Sequence, residues 1–218
     1  MNKFEKVILE YSREHEDMVL RMIKNAKPKY SREISELIVK ALQTQHKVYL
    51  CTDWHLWRYD KSTRRIVQRS DFKTIISNYN KIVKDGDVVI NLGDLVGGEC
   101  ENKRALASVI QMLRGIKVLV RGNNDLFSDA YYINAGFKYV TPKFIFNDIL
   151  FTHMPTENNN RLNIHGHIHG YRTYWIPYRN QIDVAVLDGR KKPVLLQKVI
   201  AAQPAYAKTV KVDTSKQE

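Results

Sequence analysis

A chain of 218 residues with 44% hydrophobic content can build one substantial domain with an appendage, which excludes global disorder. Lysine and arginine number 35 against 23 aspartates and glutamates, and this +12 balance suits phosphate-bearing partners, nucleic acid among them, without specifying one. The two cysteines, Cys51 and Cys100, form no CxxC pair, so neither a disulfide scaffold nor a cysteine zinc knot is expected, and both read as free thiols.

The start Met1–Lys6 is charged and lacks the apolar core of a signal peptide, and no apolar run approaches the roughly 18 residues of a spanning helix. The expectation is a cytoplasmic protein with no membrane partner. From Phe4 to Ile23 apolar residues fall at helical spacing, and Asn25–Tyr30, with Pro28, breaks the pattern. Ser31 reads as an N-cap of a second helix whose stripe is Ile34, Leu37, Ile38, Ala41 and Leu42. Residues 1–45 are therefore expected to form a helical hairpin preceding the main domain. Its long, lysine-rich turn suits a packing element better than a DNA-binding helix-turn-helix.

After Gln45 short apolar strands alternate with helices. His46–Cys51 runs into Asp53-Trp54-His55, and Asp71 to Lys84 has helical periodicity. Asp87–Leu92 empties into Gly93-Asp94, a helix follows from about Lys103 to Leu113, and Lys117–Val120 leads into Arg121-Gly122-Asn123-Asn124-Asp125. Beyond Phe137 the chain becomes β-rich. Phe144–Phe146 and Ile149–Phe151 flank Asn147-Asp148, which reads as a hairpin turn, and the second of these strands ends in Thr152-His153. A strand His165–His169 is expected next. In an extended chain, residues i and i+2 share a face, so His167 and His169 would aim at one point. Gln181 to Val186 and Val194 to Val199 read as further strands, and residues 201–218 as a basic tail.

Polar residues thus recur where apolar strands stop, the edge at which open α/β sheets bind ligands. Asp53, His55, Asp94, Asn123, His153, His167 and His169 form a mixed imidazole and oxygen donor set without thiolate, which suits Mn²⁺, Fe²⁺ or Zn²⁺. Taken singly, each is an ordinary turn, cap or hydrogen-bonded residue; the joint placement is what points to a metal centre.

Asp53-Trp54-His55, Gly93-Asp94, Gly122-Asn123-Asn124-Asp125, His153 and Gly166-His167-Ile168-His169 follow, in order, the signature blocks of the calcineurin-like metallophosphoesterases. The resemblance covers roughly residues 46–200. It implies an α/β fold, a four-layer αββα sandwich with two divalent ions at one end, Mn foremost and Fe, Zn or Ni as alternatives. One ion would be held by Asp53, His55, Asp94 and His169, the other by Asp94, Asn123, His153 and His167, with Asp94 bridging. Such a pair acidifies a bridging water into a hydroxide nucleophile and clamps the phosphoryl oxygens.

In the same reading Asp94, Asn123, Asn124 and His167 serve catalysis, and Asn123 and Asn124 contact substrate. Arg121, just before the third block, reads either as a further substrate contact or as an exposed strand-end arginine. One position departs from the pattern. The third block usually reads Gly-Asn-His-Asp, and Asn124 stands where its histidine would, a carboxamide that cannot act as a general acid near pH 7. A phosphodiesterase acting on a nucleotide or nucleic-acid phosphodiester is therefore the leading expectation. The alternatives are a phosphomonoesterase using another proton donor, and a non-catalytic metal-binding scaffold module. Asp125, without a histidine to buttress, reads as a helix N-cap, and His165 as a structural histidine. Trp54, Trp57 and Tyr59 read as core or rim packing rather than as base-stacking groups.

Overall fold

The computed structural model describes residues 18, 21–23, 25–60, 65–97, 103–156, 160–169 and 180–202. In chain order they form α1 (Ser31–Gln43), β1 (Val48–Cys51), β2 (Trp57–Asp60), β3 (Arg65–Gln68), α2 (Phe72–Ile82), β4 (Val88–Asn91), α3 (Lys103–Met112) and β5 (Ile116–Val120). Then come α4 (Asp129–Ala135), β6 (Phe137–Thr141), β7 (Lys143–Phe146), β8 (Ile149–Thr152), β9 (Leu162–His165) and β10 (Gln181–Asp183). A 3₁₀ turn (Val184–Leu187), β11 (Val194–Leu195) and α5 (Leu196–Ala201) complete the order.

Alternation along the buried strands divides the interior into two cores. One sheet has the order β11-β1-β4-β5-β6, with β1, β4, β5 and β6 parallel and β11 antiparallel. The other has the order β10-β9-β8-β7. Val48, Leu50, Val88, Ile90, Val118 and Val120 face the second sheet's Phe144, Phe146, Phe151, Ile164 and Ile182. Phe144 and Phe151 stack there with centroids 4.6 Å apart. Tyr49, Cys51, Val89 and Leu119 point the other way, into a core completed by Ile75 and Tyr79 of α2, Leu106, Val109 and Ile110 of α3, and Tyr132 of α4. The mixed α/β sandwich is as expected. Asn147 and Asp148, at φ 47° and 61°, make the two-residue turn between β7 and β8.

Helix α1 sends Ile34 and Ile38, both fully buried, into the core between the sheets and packs along the edge strand β7. Its start differs from the expectation. Tyr30, left-handed at φ 57°, holds the cap position, and the Ser31 hydroxyl instead accepts a 3.0 Å bond from the Ile145 amide. Of the expected first helix, Met18 and Arg21–Ile23 are helical and the rest lies outside the described residues; Asn25, where the pattern is expected to break, is still helical.

Other boundaries also move. The strand expected over Val194 to Val199 is the two-residue β11 followed by α5, because Leu196 and Val199 share one buried helical face. The strand expected over Gln181 to Val186 stops at Asp183, whose carboxylate accepts from the Ala185 amide at 2.8 Å and opens the 3₁₀ turn. The β2–β3 hairpin and α4 were not anticipated. Cys51 is buried and free, and burial pushes its thiol pKa up. Cys100 and residues 203–218 lie outside the described residues. Among the described residues no helix is long and apolar enough to cross a membrane.

Candidate metal centre

Strands β1, β4, β5, β8 and β9 end at one margin of the sandwich, so the loops that leave them converge there. Pairing continues a little past the strands: the Asp53 amide donates to Gly93 O at 2.9 Å and the His55 amide to Asp94 O at 3.0 Å. Asp53, His55, Asp94, His167 and His169 are all left-handed, with φ of 52°, 43°, 56°, 70° and 52°. Non-glycine residues held this way cost of order 1–3 kcal/mol each and collect at functional sites. Two glycines allow the crowding. A Cβ on Gly122 would lie 2.1 Å from an Asp94 carboxylate oxygen, and one on Gly166 would lie 1.9 Å from the Thr52 hydroxyl.

The His165–His169 segment is not the strand expected. β9 stops at His165, and the Ile168 amide turns back to Gly166 O at 2.9 Å. The two-residue alternation therefore does not set where the rings point. The left-handed turn sends His169 and His167 to different donor groups.

Asp53, His55, Asp94 and His169 present ligand atoms within 4.8 Å of one another, and so do Asp94, His153 and His167, with Asp94 common to both. In the first group His169 Nε2 lies 3.0 Å from His55 Nε2 and 3.1 Å from Asp53 Oδ1, and His55 Nε2 is 3.7 Å from Asp94 Oδ2. In the second, His153 Nε2 lies 3.0 Å from Asn123 Oδ1, 3.1 Å from His167 Nδ1 and 3.4 Å from Asp94 Oδ2. Neighbouring ligands about 2.1 Å from one ion stand about 3.0–3.4 Å apart, so the donor set fits divalent cations.

Supporting contacts orient the donors. His153 Nδ1 donates to Leu92 O at 2.7 Å, which leaves Nε2 facing the group. Thr52 Oγ1 donates to Asp53 Oδ2 at 2.7 Å, and the His167 amide donates to the same carboxylate. Burial lowers the His55 pKa and takes that of His167 to about 4, leaving both rings neutral with lone pairs available. Burial also opposes charge on His153, but Asp94 and Asp53 outweigh it and raise that imidazole to about 10. Against their burial, Asp53 is lowered chiefly by His169 and Asp94 chiefly by His153. Two ionised carboxylates in a buried pocket attract a cation.

Residues 46–211 match the family model of calcineurin-like phosphoesterases. The chain belongs to that family. It is a metallophosphoesterase, a hydrolase of phosphoester bonds. A Methanocaldococcus jannaschii relative, the uncharacterized protein MJ1445, is 30% identical over 170 residues, spanning 72% of this chain and 91% of the relative. Among solved structures, the chain is similar to the protein of unknown function AQ665 from Aquifex aeolicus, at 22% identity and TM-score 0.49, over 72% of this chain and 98% of that one. It is also similar to the Pseudomonas putida nuclease MPE, at 14% identity and TM-score 0.39, over 57% and 62% of the two chains.

Other anticipated residues of this metallophosphoesterase lie as follows. Asn124 sits at the centre, its amide 2.9 Å from Asp94 Oδ1 and its Nδ2 donating to Asp94 Oδ2 at 2.8 Å. Arg121, read as a substrate contact or an exposed strand-end arginine, lies over the following loop, pairing with Asp129 at 2.8 Å and donating to Phe127 O at 2.8 Å.

Asp125 is not the helix N-cap expected; Ser128 caps α4. The buried Asp125 carboxylate takes the amides of Gly122, Asp94 and Leu95 at 2.8, 2.9 and 3.0 Å, lacing the β4 and β5 loops together. Burial and the Asp94 charge push its pKa up.

His165 is fully buried and donates to Gly166 O at 2.8 Å, and burial takes its pKa to about 4. Trp54 is buried, edge-on to Tyr79, and Trp57 packs on Phe72. Arg58, Arg69 and Arg190 also line the space beside the centre. Nothing in their local sequence signals this, because only the folding of β2 and of the 188–192 turn brings them there.

Proposed function

We propose that this protein is a dinuclear metal-dependent phosphodiesterase acting on a nucleotide or nucleic-acid phosphodiester. The observation that carries the reading is Asn124, a carboxamide 2.8 Å from Asp94 Oδ2 where the family pattern has an imidazole. Divalent ions, Mn²⁺ foremost, held by the two donor groups would supply an acidified water as nucleophile and neutralise charge on the phosphoryl oxygens.

Asp94, common to both groups, holds them in fixed relation, and Asn124 fixes Asp94 through two hydrogen bonds. The Asn124 amide can hold an oxygen by a hydrogen bond but brings no proton for a departing alkoxide. A general acid is worth roughly 10²–10⁴-fold in rate, so its absence weighs most on monoesters of poor leaving groups. A phosphodiester with a tolerable leaving group suffers least.

The test is hydrolysis of bis(p-nitrophenyl) phosphate beside p-nitrophenyl phosphate by protein stripped with EDTA and resupplied with Mn²⁺. Metal-restored turnover that favours the diester is expected. Faster monoester turnover would overturn the diesterase preference, and absence of turnover of both esters with metal bound would overturn the reading as a whole.

A further inference from the structure

Asp53 and His55 are both left-handed, and Trp54 stands between them. Such a run keeps its shape only where its surroundings over-determine it. The ribbon 53–56 is stitched to the loop after β4 through its amides. Those of Asp53, His55 and Leu56 donate to Gly93 O, Asp94 O and Leu95 O at 2.9, 3.0 and 2.8 Å. Two carbonyls of the same ribbon, one on either side of His55, are taken by a single residue. Arg69 Nη1 donates to Trp54 O at 2.9 Å, and the Arg69 amide donates to Leu56 O at 2.9 Å.

Arg69 lies outside the signature blocks. It follows β3, and because Trp57 pairs with Gln68, its amide contact extends the β2–β3 ladder by one step. The guanidinium is held in turn. Nε donates to Asp71 Oδ1, and Nη2 donates to Asp71 Oδ2 at 3.0 Å, a two-pronged pair that leaves Nη1 for the carbonyl. Asp71 occupies the N-cap position of α2 yet makes no side-chain cap bond, so its carboxylate grips Arg69 instead of the helix. The two side chains are 18% and 38% exposed, and an ion pair still open to water contributes little to stability. What the pair does secure is the Trp54 carbonyl.

We propose that Arg69 is a positioning residue of the metal centre: through Trp54 O it fixes the turn that aims His55 at the group of Asp53, Asp94 and His169, and Asp71 fixes Arg69. This rests on the dinuclear reading of the site and adds the group that sets the direction of His55. His153 and His167 of the second donor group come from other loops, so loss of Arg69 should weaken one cation site and spare the other.

Metal-stripped full chain is titrated with Mn²⁺ by isothermal calorimetry, comparing the unaltered protein with R69A, H55A and the R69A/H55A double variant. Arg69→Ala is expected to weaken one of the two Mn²⁺ sites by about tenfold or more, the scale on which supporting contacts act. The other site should keep its affinity within about twofold, and adding Arg69→Ala to His55→Ala should cause no further loss, because a residue that acts through His55 then has nothing to act on. Arg69→Lys, which can still donate to Trp54 O but cannot share the Asp71 fork, should recover part of the loss. Asp71→Asn should weaken the same site several-fold, and it takes the place of Arg69→Ala if that variant does not fold. The backbone contact to Leu56 survives in every variant.

Equal weakening of both sites, or a further loss on top of His55→Ala, would make Arg69 a general structural residue and overturn the proposal. Unchanged Mn²⁺ affinity in both Arg69→Ala and Asp71→Asn would overturn it too. If the unaltered chain binds no Mn²⁺, the metal reading itself fails and takes the proposal with it.

Discussion

A carboxamide and an imidazole at position 124 differ in one ability, delivering a proton near neutral pH. Asn124 already reaches Asp94 Oδ2 at 2.8 Å, and an imidazole nitrogen could take the same place. Asn124→His should therefore raise turnover of phenyl phosphate, whose leaving group needs a proton, by about tenfold or more relative to p-nitrophenyl phosphate, whose leaving group does not. Steady-state kinetics on the two esters measures this directly. An unchanged ratio would mean that protonation of the leaving group does not limit the reaction.

At the scale of elements, α1 belongs energetically with the sandwich. Ile34 and Ile38 are fully buried among strand residues of both sheets, and Ser31 and Lys29 bind the backbone of Ile145 and Lys143. Ile38→Ala removes buried methyl groups from a core that can collapse only partly, at a cost of about 2–5 kcal/mol. Urea unfolding should show a lower midpoint with an unchanged slope. If α1 is an appendage loosely laid on the domain, the loss will be well under about 1 kcal/mol. Elsewhere the elements do less than their length suggests. The donor residues sit in the loops just past the strands, and the left-handed turns at Asp53, His55, Asp94, His167 and His169 aim them.

For the whole molecule, the donor groups draw on the ends of strands from both sheets, so a bound cation ties the two sheets together. Saturating Mn²⁺ should raise the thermal midpoint and EDTA should reverse it. The sign of the pH dependence follows from His153. Asp94 and Asp53 overcome its burial and hold its pKa at about 10, so at neutral pH an incoming ion must displace a proton. Apparent Mn²⁺ affinity should therefore climb by about tenfold per pH unit above neutrality, and the Mn²⁺-induced midpoint shift should be larger at pH 8 than at pH 7. Differential scanning calorimetry at the two pH values checks it; equal shifts would show that His153 binds no proton that the ion must displace.

The strands and helices around the centre were legible in the sequence because local periodicity encodes burial: Val48–Cys51 and Val88–Asn91 read as buried runs, and α2 as a helical stripe. The candidate donors were legible too, since each follows an apolar strand, and strands of both sheets stop at the same margin. The direction in which each ring points was not. His167 and His169 looked like neighbours on one face of a strand, and only a left-handed turn packed against Asp53 and Thr52 parts them. Arg121, Asp125 and Arg190 make the same point. Arg121 is drawn away by loop carbonyls, Asp125 is taken by amides of two loops, and Arg190 is carried in by a turn anchored on Thr52. A short sequence fixes which groups a segment offers, whereas the partner that claims each group comes from distant chain, and that pairing exists only once the fold has closed.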